Sequence, residues 1–240
     1  MDMPEMNVDK DAPILKKDRM STGIKDLDLI LEGGYKNPAN IMILGPTGVE
    51  KMMLSFQFAA VGLRKPDEYI IFISSDSAIE NVMQRAQSIG IKLDAPNFLF
   101  IDCYTSNSGD RQEPSEKRIV VPGPSALNDL SLAINEGMAK ANGKKIRVVF
   151  SSLSTFMLYN PIESILKFLQ VVCGRLMKAN ATTLMLVEEG VHEKKLLSVV
   201  EHMMDEKFEI AEKDGMLSMD VPEISDDIPI KLGPTGISII

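Results

Sequence analysis

Ile41-Met42-Ile43-Leu44-Gly45-Pro46-Thr47-Gly48-Val49-Glu50-Lys51-Met52 is the stretch on which the fold turns. An apolar run enters a glycine-containing turn, and a helical pattern from Glu50 to Arg64 leaves it. Strand, glycine turn and helix in that order form the layout of a phosphate-binding loop, whose pattern is Gly, four residues, Gly, Lys, then Ser or Thr. Gly45 and Lys51 are in register with that pattern. Glu50 stands where the second glycine belongs, and Met52 stands where the hydroxyl residue belongs.

Outward from this stretch, strand-like and helical patterns alternate. Tyr69–Ile73, Phe98–Ile101, Ile146–Phe150 and Thr182–Val187 are short apolar runs with the character of buried strands. Ser77–Ile89, Leu127–Ala141 and Pro161–Ala179 read as helices, the first with Ser77 as N-cap and Glu80 at capping-box spacing, the last opening on a proline. This alternation predicts an α/β fold, a mostly parallel central sheet flanked by helices. After Glu189 a short helix over Leu196–Met204 and the runs 207–210, 216–219 and 237–240 predict short antiparallel strands at the C-terminal end. Residues 1–14 read as a flexible arm, and 15–240 as a single domain. Within it, Tyr104–Ser125, with Pro114, Pro122 and Pro124, reads as a long loop or excursion.

Composition narrows the function classes. The 240 residues are 45% apolar and 25% charged, with a net charge of −8. That balance disfavours a general nucleic-acid binder, which needs a basic face. The clusters Lys16-Lys17 with Arg19 and Lys144-Lys145 with Arg147 read as solvated surface. No run reaches the ~18 apolar residues of a membrane span, and the polar start reads as no signal peptide, so the expectation is a cytoplasmic protein. Cys103 and Cys173 read as buried free thiols, and His192 and His202 as isolated surface or helix-end residues without metal-ligand spacing. The sixteen methionines read mostly as core filler.

Three segments together resemble the KaiC-like ATPases of the RecA superfamily. Ser21-Thr22-Gly23-Ile24, Leu27-Asp28, Leu31 and Gly33-Gly34, followed by the Gly45–Lys51 loop, resemble the family's opening. Arg147-Val148-Val149-Phe150-Ser151-Ser152-Leu153-Ser154 is similar to its Walker B segment, and Val200-Glu201-His202-Met203-Met204-Asp205 to the lead into its late strands. The likeness spans roughly residues 15–220 and implies a RecA-like P-loop fold.

The departures from that family bear on chemistry. Glu50 adds a side chain and a negative charge where backbone should approach phosphate. A carboxylate ~4 Å from a phosphate charge would be repelled by about 4 kcal/mol at an effective dielectric of 20. A Met52 thioether is a soft, poor ligand for Mg²⁺. The resemblance places a metal-binding aspartate at Ser151 and a pair of glutamates at Ser75-Asp76. It also places a Lys-x-Arg pair on a late strand, and Met216–Pro222 contains neither residue type. Phosphoryl transfer depends almost wholly on positioning and electrostatics, so these positions predict no catalytic set, with Ser75, Asp76 and Ser151 degenerate.

The loop residues Gly45, Pro46, Thr47, Gly48, Val49, Glu50, Lys51 and Met52 then read as a vestigial P-loop, with no cofactor required and no metal. Lys51 is either a remnant phosphate ligand or a cation paired with Glu50 or Asp76. Glu188-Glu189 reads as a solvated strand end, with a ligand or partner contact as the alternative. The functional expectation is a regulatory or scaffolding protein in signalling or assembly. Its partner would be a protein, either a second copy or an active KaiC-like relative, with no nucleic acid and no membrane. The alternative is a switch that holds ATP or ADP weakly through Gly45, Gly48 and Lys51, and an active ATPase stands third.

Overall fold

The structure, a computed structural model, describes residues 18–47, 49–105 and 114–240, with the backbone alone at 49 and 50. The expected N-terminal arm lies outside the described residues. The strands are β1 (Arg19–Met20), β2 (Tyr35–Lys36), β3 (Ala39–Gly45), β4 (Glu68–Ser74), β5 (Phe98–Asp102), β6 (Arg118–Val120), β7 (Lys145–Phe150), β8 (Ala181–Glu188), β9 (Glu206–Lys213), β10 (Met216–Asp220), β11 (Ile228–Gly233) and β12 (Gly236–Ile239). The helices are α1 (Lys25–Ile30), α2 (Val49–Leu63), α3 (Ile79–Ser88), α4 (Leu127–Ala141), α5 (Leu153–Tyr159), α6 (Ile162–Lys178) and α7 (Lys194–Glu201).

Ten strands form one sheet in the order β12-β11-β10-β9-β3-β8-β7-β4-β5-β6. From β9 to β6 every pairing is parallel, and β9 to β12 pair antiparallel. The expected α/β architecture and its antiparallel C-terminal strands are therefore present. No described helix is long and apolar enough to cross a membrane.

The apolar runs are continuous because both faces of the sheet are covered. Along β3, Ile41 and Ile43 enter one core with α2 and the late strands. Met42 and Leu44 enter the other, with α4, α5 and α6. The same period of two divides Ile70 and Phe72 from Ile71 and Ile73 on β4. Phe72 stacks between Phe56 of α2 and Phe100 of β5, with ring centroids 6.1 and 6.0 Å away. Full burial of each such ring is worth about 1.5–3 kcal/mol.

The antiparallel strands curl over α2. The Gln57 side chain donates to the Ile237 carbonyl and accepts from the Ile237 amide, both at 2.9 Å. Gly236 has φ +111°, a conformation L side chains rarely adopt, and a Cβ there would lie 2.6 Å from the Gln57 carboxamide carbon, so glycine suits both the turn and the clasp. This clasp occupies the outward hydrogen-bonding groups of the last strand at Ile237, which blunts an otherwise open edge.

Three sequence readings need correction. Arg147, read as part of a surface cluster, is fully buried. Its guanidinium is paired with Glu68, donates to the carbonyls of Ser21 (2.7 Å) and Phe58 (3.0 Å), and lies 4.5 Å from the Phe58 ring centroid. Lysine neighbours suggested solvent, but strand alternation turns this one position under α2. Second, α3 has Ala78 rather than Ser77 as its N-cap, without a side-chain cap. Ser77 is drawn back because its carbonyl accepts from Ser74 Oγ at 2.6 Å. Third, the excursion over 104–125 is not all loop. Arg118–Val120 add β6 to the sheet, anchored by an ion pair between buried Arg118 and Asp102. Residues 106–113 of that excursion lie outside the described residues.

Burial acts to raise the Glu68 carboxyl, but the Arg147 guanidinium and the Lys65 ammonium outweigh it and hold the group below its ordinary 4.5. Its contribution to stability is therefore complete above that ordinary value and is lost as pH falls beneath it. Removing one partner of a buried pair strands the other charge, at about 3–5 kcal/mol. Arg147→Met should cost that much in urea unfolding at pH 7, and the loss should shrink below pH 4. A loss under about 1 kcal/mol, or one independent of pH, would refute this account of the pair.

Candidate functional site

The site is assembled at the carboxyl ends of β3, β4, β7 and β8, where an open parallel sheet gathers its loops. β3 ends at Gly45. A Cβ there would meet the Ile210 carbonyl of β9 at 2.8 Å, so strand packing alone requires glycine, whatever else the loop does. The Gly45 carbonyl accepts from the Glu189 amide at 2.8 Å, which ties the segment after β8 to the loop.

Lys51, from the first turn of α2, folds back over the loop. Its ammonium donates to the Gly45 carbonyl at 2.9 Å and to the Pro46 carbonyl, and the residue is only 4% exposed. Neither sequence reading of Lys51 named these carbonyls. Met52 is 6% exposed and belongs to the core beneath α2. Its sulfur lies 3.7 Å from Ser55 Oγ, and that hydroxyl donates to the Met52 carbonyl at 2.7 Å. The Ser55 hydroxyl is therefore spent inside its own helix.

The ends of β4 and β7 meet through serines. Ser151 Oγ donates to exposed Asp76 at 2.8 Å, and Ser75 Oγ donates to the Ser152 carbonyl at 3.0 Å. Ser152 Oγ caps α5, accepting from the Thr155 amide at 3.2 Å and from the Thr155 hydroxyl at 2.9 Å. Ser154 Oγ accepts from the Glu188 amide at 2.9 Å. The run Ser151-Ser152-Leu153-Ser154 thus stitches β7 to β4, α5 and β8. The structure brings Ser75, Asp76 and Ser151 together at the ends of β4 and β7 and assigns each of them a hydrogen-bond partner.

Beside the loop lies a cleft of about 760 Å³ lined by Pro46, Thr47, Glu189, His192, Leu197 and neighbours. Sequence reading missed this cleft, because His192 and Leu197 reach the loop only through the turn after β8. His192, read as a surface residue, is partly buried in the cleft wall, and its Nε2 has no hydrogen-bond partner among the described residues. Burial lowers the pKa of the imidazole, against the raising field of Glu188. No group of three or more metal-ligating side chains occurs among the described residues.

A strand–loop–helix unit at the centre of a parallel sheet, with β8 inserted between β3 and β7, defines a RecA-type P-loop ATPase fold. The chain belongs to the KaiC ATPase family: residues 20–228 match the family described as "ATPase: KaiC". A UPF0273 protein of Aeropyrum pernix is 23% identical over 214 residues, 88% of this chain and 81% of the relative. The circadian clock oscillator protein KaiC of Synechococcus elongatus is 25% identical over 174 residues, 71% of this chain but 32% of that longer protein. Among solved structures, a KaiC-like protein from Pyrococcus horikoshii superposes with a TM-score of 0.72 at 17% identity, covering 92% of this chain and 98% of the other.

The Ser151–Asp76 contact makes a specific demand. Ser151→Asp would set a second carboxylate against the first, and two such groups in contact cannot both ionise freely. One pKa is then raised, so stability is retained at low pH and lost as pH rises through that value. Thermal unfolding of Ser151→Asp should match wild type near pH 4 and fall behind it at pH 7.5, with Mg²⁺ reducing that deficit. Equal melting at both pH values would show that the carboxylates do not meet.

Proposed function

We propose that this chain is a catalytically degenerate member of the KaiC family that acts as a regulatory or scaffolding binding protein. Its partner is a protein, either a second copy of the chain or an active relative. The observation behind the reading is the state of the loop cation. Lys51 is buried on the carbonyls of Gly45 and Pro46, where a nucleotide loop would aim an ammonium at phosphate.

The donor set agrees with this reading. Mg²⁺ takes hard oxygen ligands, and the position that should supply a hydroxyl is a core thioether, Met52. At the end of β7, Ser151 is engaged with Asp76. One exposed carboxylate, a buried amine and a buried thioether do not fit a Mg²⁺–triphosphate, so no hydrolytic step is derived through one.

The second reading, a switch that holds ATP or ADP weakly without efficient hydrolysis, rests on a separate observation. The cleft of about 760 Å³ borders Pro46 and Thr47, next to the two motif positions, Gly45 and Lys51, that are in register. An active ATPase remains the third reading, since the matching family bears that description.

A phosphate-release assay should show no ATP turnover above background. Turnover abolished by Lys51→Ala would overturn the first reading. Calorimetry with Mg²⁺–ATP separates the first reading from the switch. Wild type should bind weakly or not at all, Glu50→Gly should tighten binding, and Met52→Thr should add Mg²⁺ dependence. The two substitutions should couple, because metal and phosphates bind as one unit. Hydrolysis should stay negligible in all of these variants. Low-micromolar binding by wild type, unchanged in Glu50→Gly, would replace the first reading by the switch.

A further inference from the structure

On α6, Lys167, Val171 and Arg175 follow one another at four-residue steps and so form one ridge. At 1.5 Å rise per residue the two cations stand about 12 Å apart along the helix. This ridge walls a groove of about 580 Å³ between α4 and α6, whose floor and far wall include Asn128, Ser131 and Phe168. The groove lies apart from the P-loop and the serine cluster, neither of which contributes to its lining.

Three properties distinguish it. The first is charge: in a chain of net charge −8, the lining holds two cations and one carboxylate, Asp129. Neither cation forms an ion pair among the described residues. The second is preorganisation. Arg175 donates to Ser131 Oγ at 3.0 Å and to Asn135 Oδ1 at 3.5 Å, which holds the guanidinium across the groove without neutralising it. The third is exposed apolar surface. Val171, which lines the groove between the cations, is 47% exposed. The ridge therefore carries an apolar centre between two charges.

We propose that this groove docks an acidic amphipathic helix of a partner protein, with carboxylates two turns apart on either side of an apolar residue. A helix repeats its side chains at the same four-residue steps as the ridge, so one carboxylate meets each cation while the apolar residue covers Val171. Charges ~12 Å apart along one helix do not converge on a single phosphate. Two cations beside Asp129 also give too little basic surface for a nucleic acid or an anionic membrane. The inference rests on the reading of the chain as a binding protein and supplies the partner's chemistry. The two fail separately, because docking is measured without nucleotide and turnover without peptide.

The test titrates full-length protein into a fluorescent synthetic peptide about 15 residues long. Its alanine–glutamine host has glutamates eight positions apart and leucine midway, and in a control peptide lysines replace the glutamates. Fluorescence anisotropy at low salt should show the acidic peptide bound about 10-fold or more tightly than the control. Lys167→Glu with Arg175→Glu should invert that preference while leaving circular dichroism unchanged. If the double variant misfolds, Lys167→Glu alone should abolish the preference for the acidic peptide. Equal affinity for both peptides, binding that survives charge reversal, or no saturation by about 1 mM overturns the proposal. Sedimentation showing a wild-type dimer that the charge reversal dissociates also overturns it, making the groove a contact between copies of this chain.

Discussion

The fold depends on one charge placed where charges rarely go. Arg147 lies in the middle of a central strand, fully buried under α2. Its guanidinium pairs with Glu68 at the start of β4 and reaches the carbonyls of Ser21 and Phe58. One residue thereby joins β7, β4, α2 and the segment that enters α1. The arrangement constrains its neighbours. A Cβ on Gly62 would lie 2.6 Å from Arg147 Cδ, so α2 can cross this point only with glycine there. Asn97 closes the same corner, donating to the carbonyls of Gly62, Lys65 and Glu68. A buried ion pair adds less to stability than its Coulomb energy suggests, because desolvation opposes it. Its consequence here is the placement of α2, and α2 begins at the loop.

That placement reaches the site through short links. β9 presses on Gly45 through the Ile210 carbonyl, the turn after β8 holds the Gly45 carbonyl, and Lys51 holds the same carbonyl from the other side. Gln57, lower on α2, clasps the last strand. Loop, helix and C-terminal hairpins are thus packed as one body. The serines at the ends of β4 and β7 extend it: Ser151 to Asp76, Ser75 to the Ser152 carbonyl, Ser154 to the Glu188 amide. In this chain, polar groups at the strand ends serve to connect the strands to one another. The α4–α6 groove lies outside this body, which lets it be tested on its own.

The sequence by itself determined the central strands, the alternation of strand and helix, and the family. It could do so because a sheet covered on both faces leaves unbroken apolar runs, and because motif residues recur in order along the chain. The tertiary structure decided the rest. Arg147 reads as surface beside two lysines, because a one-dimensional pattern does not record which face of the strand meets α2. β6 is three residues long and apolar only in part, so its strand identity comes from pairing with β5 and from the Asp102–Arg118 contact. Lys51 could be placed in the loop from sequence, but the direction of its ammonium depends on which carbonyls the fold leaves open. His192 entered the cleft wall, and Arg175 came to face Ser131 and Asn135, only because segments distant in the chain were packed together. Periodicity and motif order are local properties and can be read along the chain. Burial of charge and convergence on a cleft depend on contacts between distant segments, which exist only once the chain has folded.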